Sequence, residues 1–139
     1  MQIDTTTDFG KRVERRLREE TIVWLTTVRR DQTPQPSPVW FLWDGETVLI
    51  HSQPNTQKIR NITNNSTVSL HFDGDGKGGD IIVITGTAAI MQNGPSVTDV
   101  PAYVEKYTEG IKQIGMTPEQ MAQEFSTAIR VTPTDLRGH

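Results

Sequence analysis

The chain has 139 residues, 34% of them hydrophobic, with a formal net charge of −3 and no cysteine. That length fits one domain over residues 1–139 with a single modest core. The missing thiols exclude disulfides, thiolate metal sites and a cysteine nucleophile, and the acidic balance argues against nucleic acid as the main partner. No run approaches the ~18 apolar residues that a membrane helix needs. The N-terminus is polar rather than signal-like, so a soluble, cytoplasmic protein is expected. The thin hydrophobic content keeps dimerisation open.

In chain order, residues 1–7 read as frayed. Asp8 stands before Phe9, Val13 and Leu17, whose i, i+4, i+8 spacing makes one apolar helical stripe with Asp8 as N-cap. Lys11, Arg12, Arg15, Arg16 and Arg18 occupy the other faces. Glu14, Glu19 and Glu20 offset them, so this reads as a solvated face. Thr21–Val28 is rich in β-branched and aromatic residues and predicts a strand. RRDQTPQP, from Arg29 to Pro36, reads as a turn segment with two prolines.

Val39–Trp43 is the next strand, and Asp44-Gly45 after it is a strong hairpin signal. Thr47–Ser52 returns, with Val48, Ile50 and Ser52 on one face and Leu49 and His51 on the other. Pro54-Asn55-Thr56 opens a short helix through about Ile62. Thr67–Phe72 is a strand, Asp73–Asp80 a loop, and Ile81–Met91 a long strand with a bend expected at Gly86. Pro101–Ile114 predicts one helix, with Asp99 near its start and Gly115 as its stop. Thr117-Pro118-Glu119-Gln120 is a capping box for a helix to about Phe125, and Thr127–Thr132 is the last strand. The pattern is mainly β with short helices, and its tight connections favour a six-stranded antiparallel barrel over a parallel sheet.

Gly74 to Gly79 matches G-x-G-x-x-G, but a strand follows where the dinucleotide fingerprint needs a helix, and Asp75 would repel a pyrophosphate. Asp73 and Asp75 mimic the start of an EF-hand, but Lys77 and Ile84 stand where oxygen ligands belong. What is left is a flexible strand-to-strand loop, of a kind that can fold over a ligand. The histidines are His51, His71 and His139. None has metal-ligand spacing, so no metal is expected; His51 and His71 are candidates to face each other on neighbouring strands. No nucleophile motif of the G-x-S-x-G type occurs.

Two stretches carry chemistry. Pro38-Val39-Trp40-Phe41-Leu42-Trp43 reads either as core or dimer interface, or as a flat wall against which a planar ring can lie. Gln57, Lys58, Arg60 and Asn61 sit at the start of a helix, where free N–H groups and the positive dipole end attract anions, and Ser52 lies just upstream. This group reads either as a phosphate clamp or as ordinary solvated surface.

The order strand–turn–strand, then S-x(5)-K-x-x-N-[IL], then a further strand resembles the flavin-binding split barrels of the pyridoxamine 5′-phosphate oxidase-like superfamily. WLTTVRRDQTPQPSPVWFLWDG, KIRNI, GDGKGGD, PAYVEKY and STAIRV bring it closer to the branch that uses the deazaflavin coenzyme F420. The likeness runs from about Phe9 to Gly138. It implies a homodimeric six-stranded split barrel with cofactor sites at the dimer interface. It also implies an oxidoreductase that moves a hydride between reduced F420 and an electron-poor small molecule. FMN-dependent chemistry on the same fold, and a non-catalytic flavin or haem carrier, stand as alternatives.

By the same resemblance Lys58 meets the cofactor phosphate, with Ser52, Gln57, Arg60 and Asn61 nearby. The backbone of Pro38, Val39 and Trp40 contacts the ring, and Gly79 and Arg130 come from the partner chain. The chain lacks the C-terminal substrate-phosphate-binding extension of true pyridoxamine phosphate oxidases, which argues against oxidation of pyridoxamine phosphate.

Overall fold

The structure is a computed structural model that describes all 139 residues. Helix α1 (Asp8–Glu19) opens the chain. Its N-cap is Thr7, whose hydroxyl accepts from the Gly10 N–H at 2.9 Å. Asp8 is thus the first helical residue, where its charge faces the positive end of the dipole. Val13 and Leu17 are fully buried against the sheet, as their spacing requires.

The basic face of α1 is less solvated than its sequence suggests. Arg16 is only 8% exposed. Its guanidinium donates to the Asp80 carboxylate at 3.0 Å and to the Asp73 carbonyl at 2.8 Å, and stacks over the Phe72 ring. Arg12 pairs with the other Asp80 oxygen at 3.0 Å. Two arginines therefore pin both ends of the Asp73–Asp80 loop. Inside that loop the Asp75 carboxylate accepts from the Lys77 and Gly79 N–H groups.

Seven strands follow, all antiparallel: β1 (Val23–Val28), β2 (Pro34–Val39), β3 (Leu42–Trp43), β4 (Val48–Ser52), β5 (Thr67–His71), β6 (Ile82–Met91) and β7 (Thr127–Gly138). They form one sheet in the order β2-β1-β5-β6-β7-β4-β3. Strands β2 and β3 are the two edges, yet Trp40 and Phe41 alone separate them in the chain. Three residue steps reach at most about 11 Å, so the sheet must curl until its edges nearly meet. That closure is the split barrel, and its interior holds a cluster of 17 buried residues including Leu25, Phe41, Ile50, Leu70, Ile84 and Ile129. Each fully buried aliphatic side chain of this kind contributes about 1.5–3 kcal/mol.

The expected six strands become seven because the predicted Val39–Trp43 strand splits at Trp40–Phe41, leaving Leu42–Trp43 as β3 and Val39 as the end of a strand that begins at Pro34, inside the expected turn segment. Tyr107 and Lys106 cause the split. Tyr107 Oη accepts from the Phe41 N–H at 2.8 Å and donates to the Thr21 carbonyl at 2.8 Å; Lys106 Nζ donates to the Phe41 carbonyl at 2.9 Å. The backbone of Phe41 is satisfied by side chains and leaves the sheet. Burial lowers the Lys106 amine to about 8, with the charge of Glu20 pulling the other way.

The last three residues of the proline-rich turn segment, Pro34–Pro36, are already strand β2. Arg29 N–H donates to the Thr33 carbonyl, which makes that pair hydrogen-bonded. Counting along the register, Gln35, Ser37 and Val39 then carry the ladder to β1, while Pro34, Pro36 and Pro38 fall at the alternate positions that point to the free edge. A missing N–H costs nothing there. The turn itself is Arg29–Thr33, with Gln32 at φ 74°.

The bend at Gly86 is present as a shift in the β6–β7 register between Thr85 and Gly86. A β-carbon on Gly86 would lie 2.8 Å from Val131 Cγ1 and 2.9 Å from the Thr132 carbonyl oxygen, so glycine is needed for the close approach. Strand β7 passes through this irregularity and continues beyond the predicted Thr132 to Gly138. His51 and His71 do not face each other, because β4 and β5 are not neighbours. His71 stacks on Trp24 instead, ring centroids 6.2 Å apart.

Helices close one side. Helix α2 (Gln57–Asn64) links β4 to β5. The predicted Pro101–Ile114 helix is two, α3 (Pro101–Lys106) and α4 (Thr108–Gln113), broken at Tyr107. A 3₁₀ turn precedes them, in which Ser96 and Asp99 form a reciprocal cap. Helix α5 (Pro118–Glu124) carries the expected Thr117–Gln120 capping box. These helices enclose a second small core of Val97, Tyr103, Tyr107, Ile111 and Met121. It covers the outer side of β4, so Leu49 and His51 are buried as well as Val48 and Ile50. No helix is long and apolar enough to cross a membrane.

Candidate functional site

The start of α2 is a helix terminus without a side-chain cap. Thr56 occupies the N-cap position, but its hydroxyl makes no capping bond; it lies 3.2 Å from Ser52 Oγ instead. No acidic residue stands in the first turn. Lys58 projects from that turn half-buried, with neither an ion pair nor a hydrogen bond, and burial alone lowers its pKa. An ammonium withdrawn from water without a counter-charge is an unfavourable arrangement, which an anion would relieve.

Two cavities meet at Thr56 and Lys58. One, of about 210 Å³, is polar and runs along Thr27, Gln35, Pro36, Ser37 and Gln57. The other, of about 290 Å³, is more apolar. Its near wall is Pro38, Val39 and Trp40, its floor includes His51 and Ser52, and its far wall is Tyr103, Met121 and Phe125. The result is one groove along β2 with a cation at its junction, polar on one side and apolar on the other.

Trp40 is held in this wall by the helices. Its ring stacks flat on Tyr107, centroids 4.5 Å apart and planes 4° apart. Gly110 makes room for it; a β-carbon there would lie 3.1 Å from the indole. Tyr107 thus fixes both the backbone at Phe41 and the ring at Trp40. Burial pushes its phenol, and that of Tyr103, well above the usual range.

Of the sequence-expected residues, Pro38, Val39, Trp40, Ser52, Gln57 and Lys58 come together around the groove. Asn61 sits behind it, 1% exposed. Its amide nitrogen donates to Thr27 Oγ1 at 2.9 Å and Gln35 Oε1 at 3.0 Å, and its oxygen accepts from Gln57 Nε2 at 2.7 Å. Asn61 therefore clamps α2 to β1 and β2. Arg60 turns away, donating to the Asn55 carbonyl and to Gln57 Oε1. Gly79 lies in the arginine-pinned loop and Arg130 pairs with Asp44 on the outer face of β7, so neither lines the groove within one chain.

Asn61→Ala is expected to lower stability by about 2 kcal/mol, because it leaves buried partners unpaired. Urea unfolding measures it, and an unchanged midpoint would remove the clamp.

A family model for pyridoxamine 5′-phosphate oxidase matches residues 9–139. The chain belongs to that family. Among solved structures, this family member is similar to an F420 reductase at 26% identity and TM-score 0.70, covering 89% of this chain and 94% of that one. A conserved hypothetical protein from Mycobacterium tuberculosis gives 20% identity and TM-score 0.72, over 91% and 81% of the two chains. HutZ, a haem storage protein from Vibrio cholerae, gives 15% identity and TM-score 0.63, over 99% and 95%. Among curated proteins no sequence matches significantly.

The sequence reading missed the far wall of the family member's groove. Tyr103 and Tyr107 are four residues apart and share one helix-like face, which was the available signal. Thr27 and Gln35 were missed because only the β1–β2 register, Thr27 opposite Gln35, brings them to Asn61.

Proposed function

We propose that this protein is a deazaflavin-dependent oxidoreductase in which the groove binds F420 and an electron-poor small molecule is reduced beside it. The observation that carries the proposal is the unpaired, half-buried Lys58 at the uncapped start of α2, at the junction of a polar and an apolar cavity. Those parts fit a cofactor with a phosphate and a planar ring. The phosphate suits Lys58 and the first-turn N–H groups, and the ring suits the wall formed by Pro38, Val39 and Trp40.

The bound cofactor's own chemistry is hydride transfer. The chain's part is to hold the phosphate, orient the ring against β2 and keep water out with Trp40, Met121 and Phe125. The likeness to an F420 reductase favours deazaflavin over FMN. In this reading a second copy of the chain brings Gly79 and Arg130 toward the groove.

The test is parallel equilibrium titration of the purified protein with F420 and FMN, followed by intrinsic fluorescence. Tighter binding of F420 is expected. A preference for FMN would move the chemistry to flavin, and binding of neither would sink the proposal.

A further inference from the structure

Two buried polar atoms at the groove have no partner: Tyr103 Oη and His51 Nδ1. Tyr103 is 0% and His51 7% exposed, and both residues line the apolar cavity. Their rings stand edge to face with centroids 5.0 Å apart, so the two residues are in direct contact in that wall. An unsatisfied buried polar group is costly and rare in native folds. Two together in one cavity wall mark a place that a ligand completes.

The chemistry of that ligand follows from the two atoms. His51 Nε2 lies 2.8 Å from the Pro95 carbonyl oxygen. A carbonyl only accepts, so Nε2 carries the proton and Nδ1 is left as an acceptor. Tyr103 Oη has its proton free to donate. The two neighbouring residues therefore hold one spare donor and one spare acceptor, in a wall that also carries the apolar side chains of Met121 and Phe125. Neither polar atom touches solvent, so a ligand meets them after a side-chain shift, and Met121 is flexible enough to move.

We infer that His51 and Tyr103 recognise a neutral planar ring bearing an N–H next to a C=O, as in a cyclic amide or imide. The carbonyl accepts from Tyr103 Oη and the N–H donates to His51 Nδ1. This inference rests on the groove being the cofactor and acceptor site. Two molecules there can supply the same edge, the cofactor's own ring or the electron acceptor.

The test uses the full chain and Tyr103→Phe, with F420, FMN, lumiflavin and N3-methyllumiflavin as probes. Lumiflavin has the imide edge without a phosphate, and its N3-methyl form lacks the N–H. In the ligand-free protein Tyr103→Phe removes an unpaired hydroxyl, so the melting temperature stays level or rises. Ring binding weakens about five- to tenfold, the worth of one hydrogen bond. The wild-type protein also prefers lumiflavin to its N3-methyl form.

If the variant loses affinity for F420 or FMN, the cofactor supplies the edge. If cofactor affinity holds and the KM of an acceptor rises by the same factor, the acceptor supplies it. A drop in melting temperature, or unchanged cofactor affinity, lumiflavin affinity and KM, would overturn the inference while leaving the phosphate site at Lys58 standing. Binding of lumiflavin but of neither phosphate cofactor would support the edge and remove the F420 reading. Failure of all four probes would overturn both.

Discussion

Lys58→Ala is expected to raise the Kd for F420 or FMN by about 10- to 100-fold, since a charge-assisted contact to phosphate is worth about 1.5–3 kcal/mol. The variant should fold at least as well as the parent. Lys58 has no counter-charge to lose, and its burial disfavours the ammonium. The pH dependence has a definite sign. The depressed pKa of the free protein means that the charge is lost at lower pH than for an ordinary lysine. Affinity for phosphate then falls as pH rises through that depressed value, and binding draws the pKa back up. Fluorescence titration across pH should show the fall in the parent and a flatter profile in Lys58→Ala. Equal affinities for the two proteins would dissociate the phosphate from α2.

Tyr107→Phe should cost about 2–4 kcal/mol of folding stability. It leaves the Phe41 N–H and the Thr21 carbonyl without their bonds at 2.8 Å, and a buried group left unpaired costs about 1–3 kcal/mol. For a domain of this size the melting temperature should fall by roughly 6–15 °C. A second effect follows from the stacking of Trp40 on the same ring. The groove wall should loosen, so ring binding should weaken in the variant even where it is fully folded. A melting temperature within a degree or two of the parent would show that Phe41 finds other partners and that the exit from the sheet is set elsewhere.

Local signals were legible in the sequence. The Asp44-Gly45 turn, the Thr117–Gln120 capping box, the stop at Gly115 and the bend at Gly86 each depend on a few adjacent residues, and each stands where the sequence put it. The start of α2 was legible for the same reason, and with it Lys58. What was not legible depends on distant partners. The break at Trp40–Phe41 is imposed by Tyr107, 66 positions away from Phe41. Arg16 looked like surface until Asp73 and Asp80 were brought to it. Strand β2 looked like a turn because a proline count says nothing about which edge the prolines occupy. The far wall of the groove could not be placed, because it comes from helices that reach β4 only through the second core.

The prolines of β2 have a consequence for assembly. An open sheet edge ordinarily invites another chain to continue it, strand against strand. Here one edge is a two-residue strand, Leu42–Trp43, and the other offers carbonyls at Pro34, Pro36 and Pro38 with no matching donors. Neither edge can zip to a neighbour. Further copies of this chain therefore cannot be added strand by strand, and the two edges resist fibrous polymerisation.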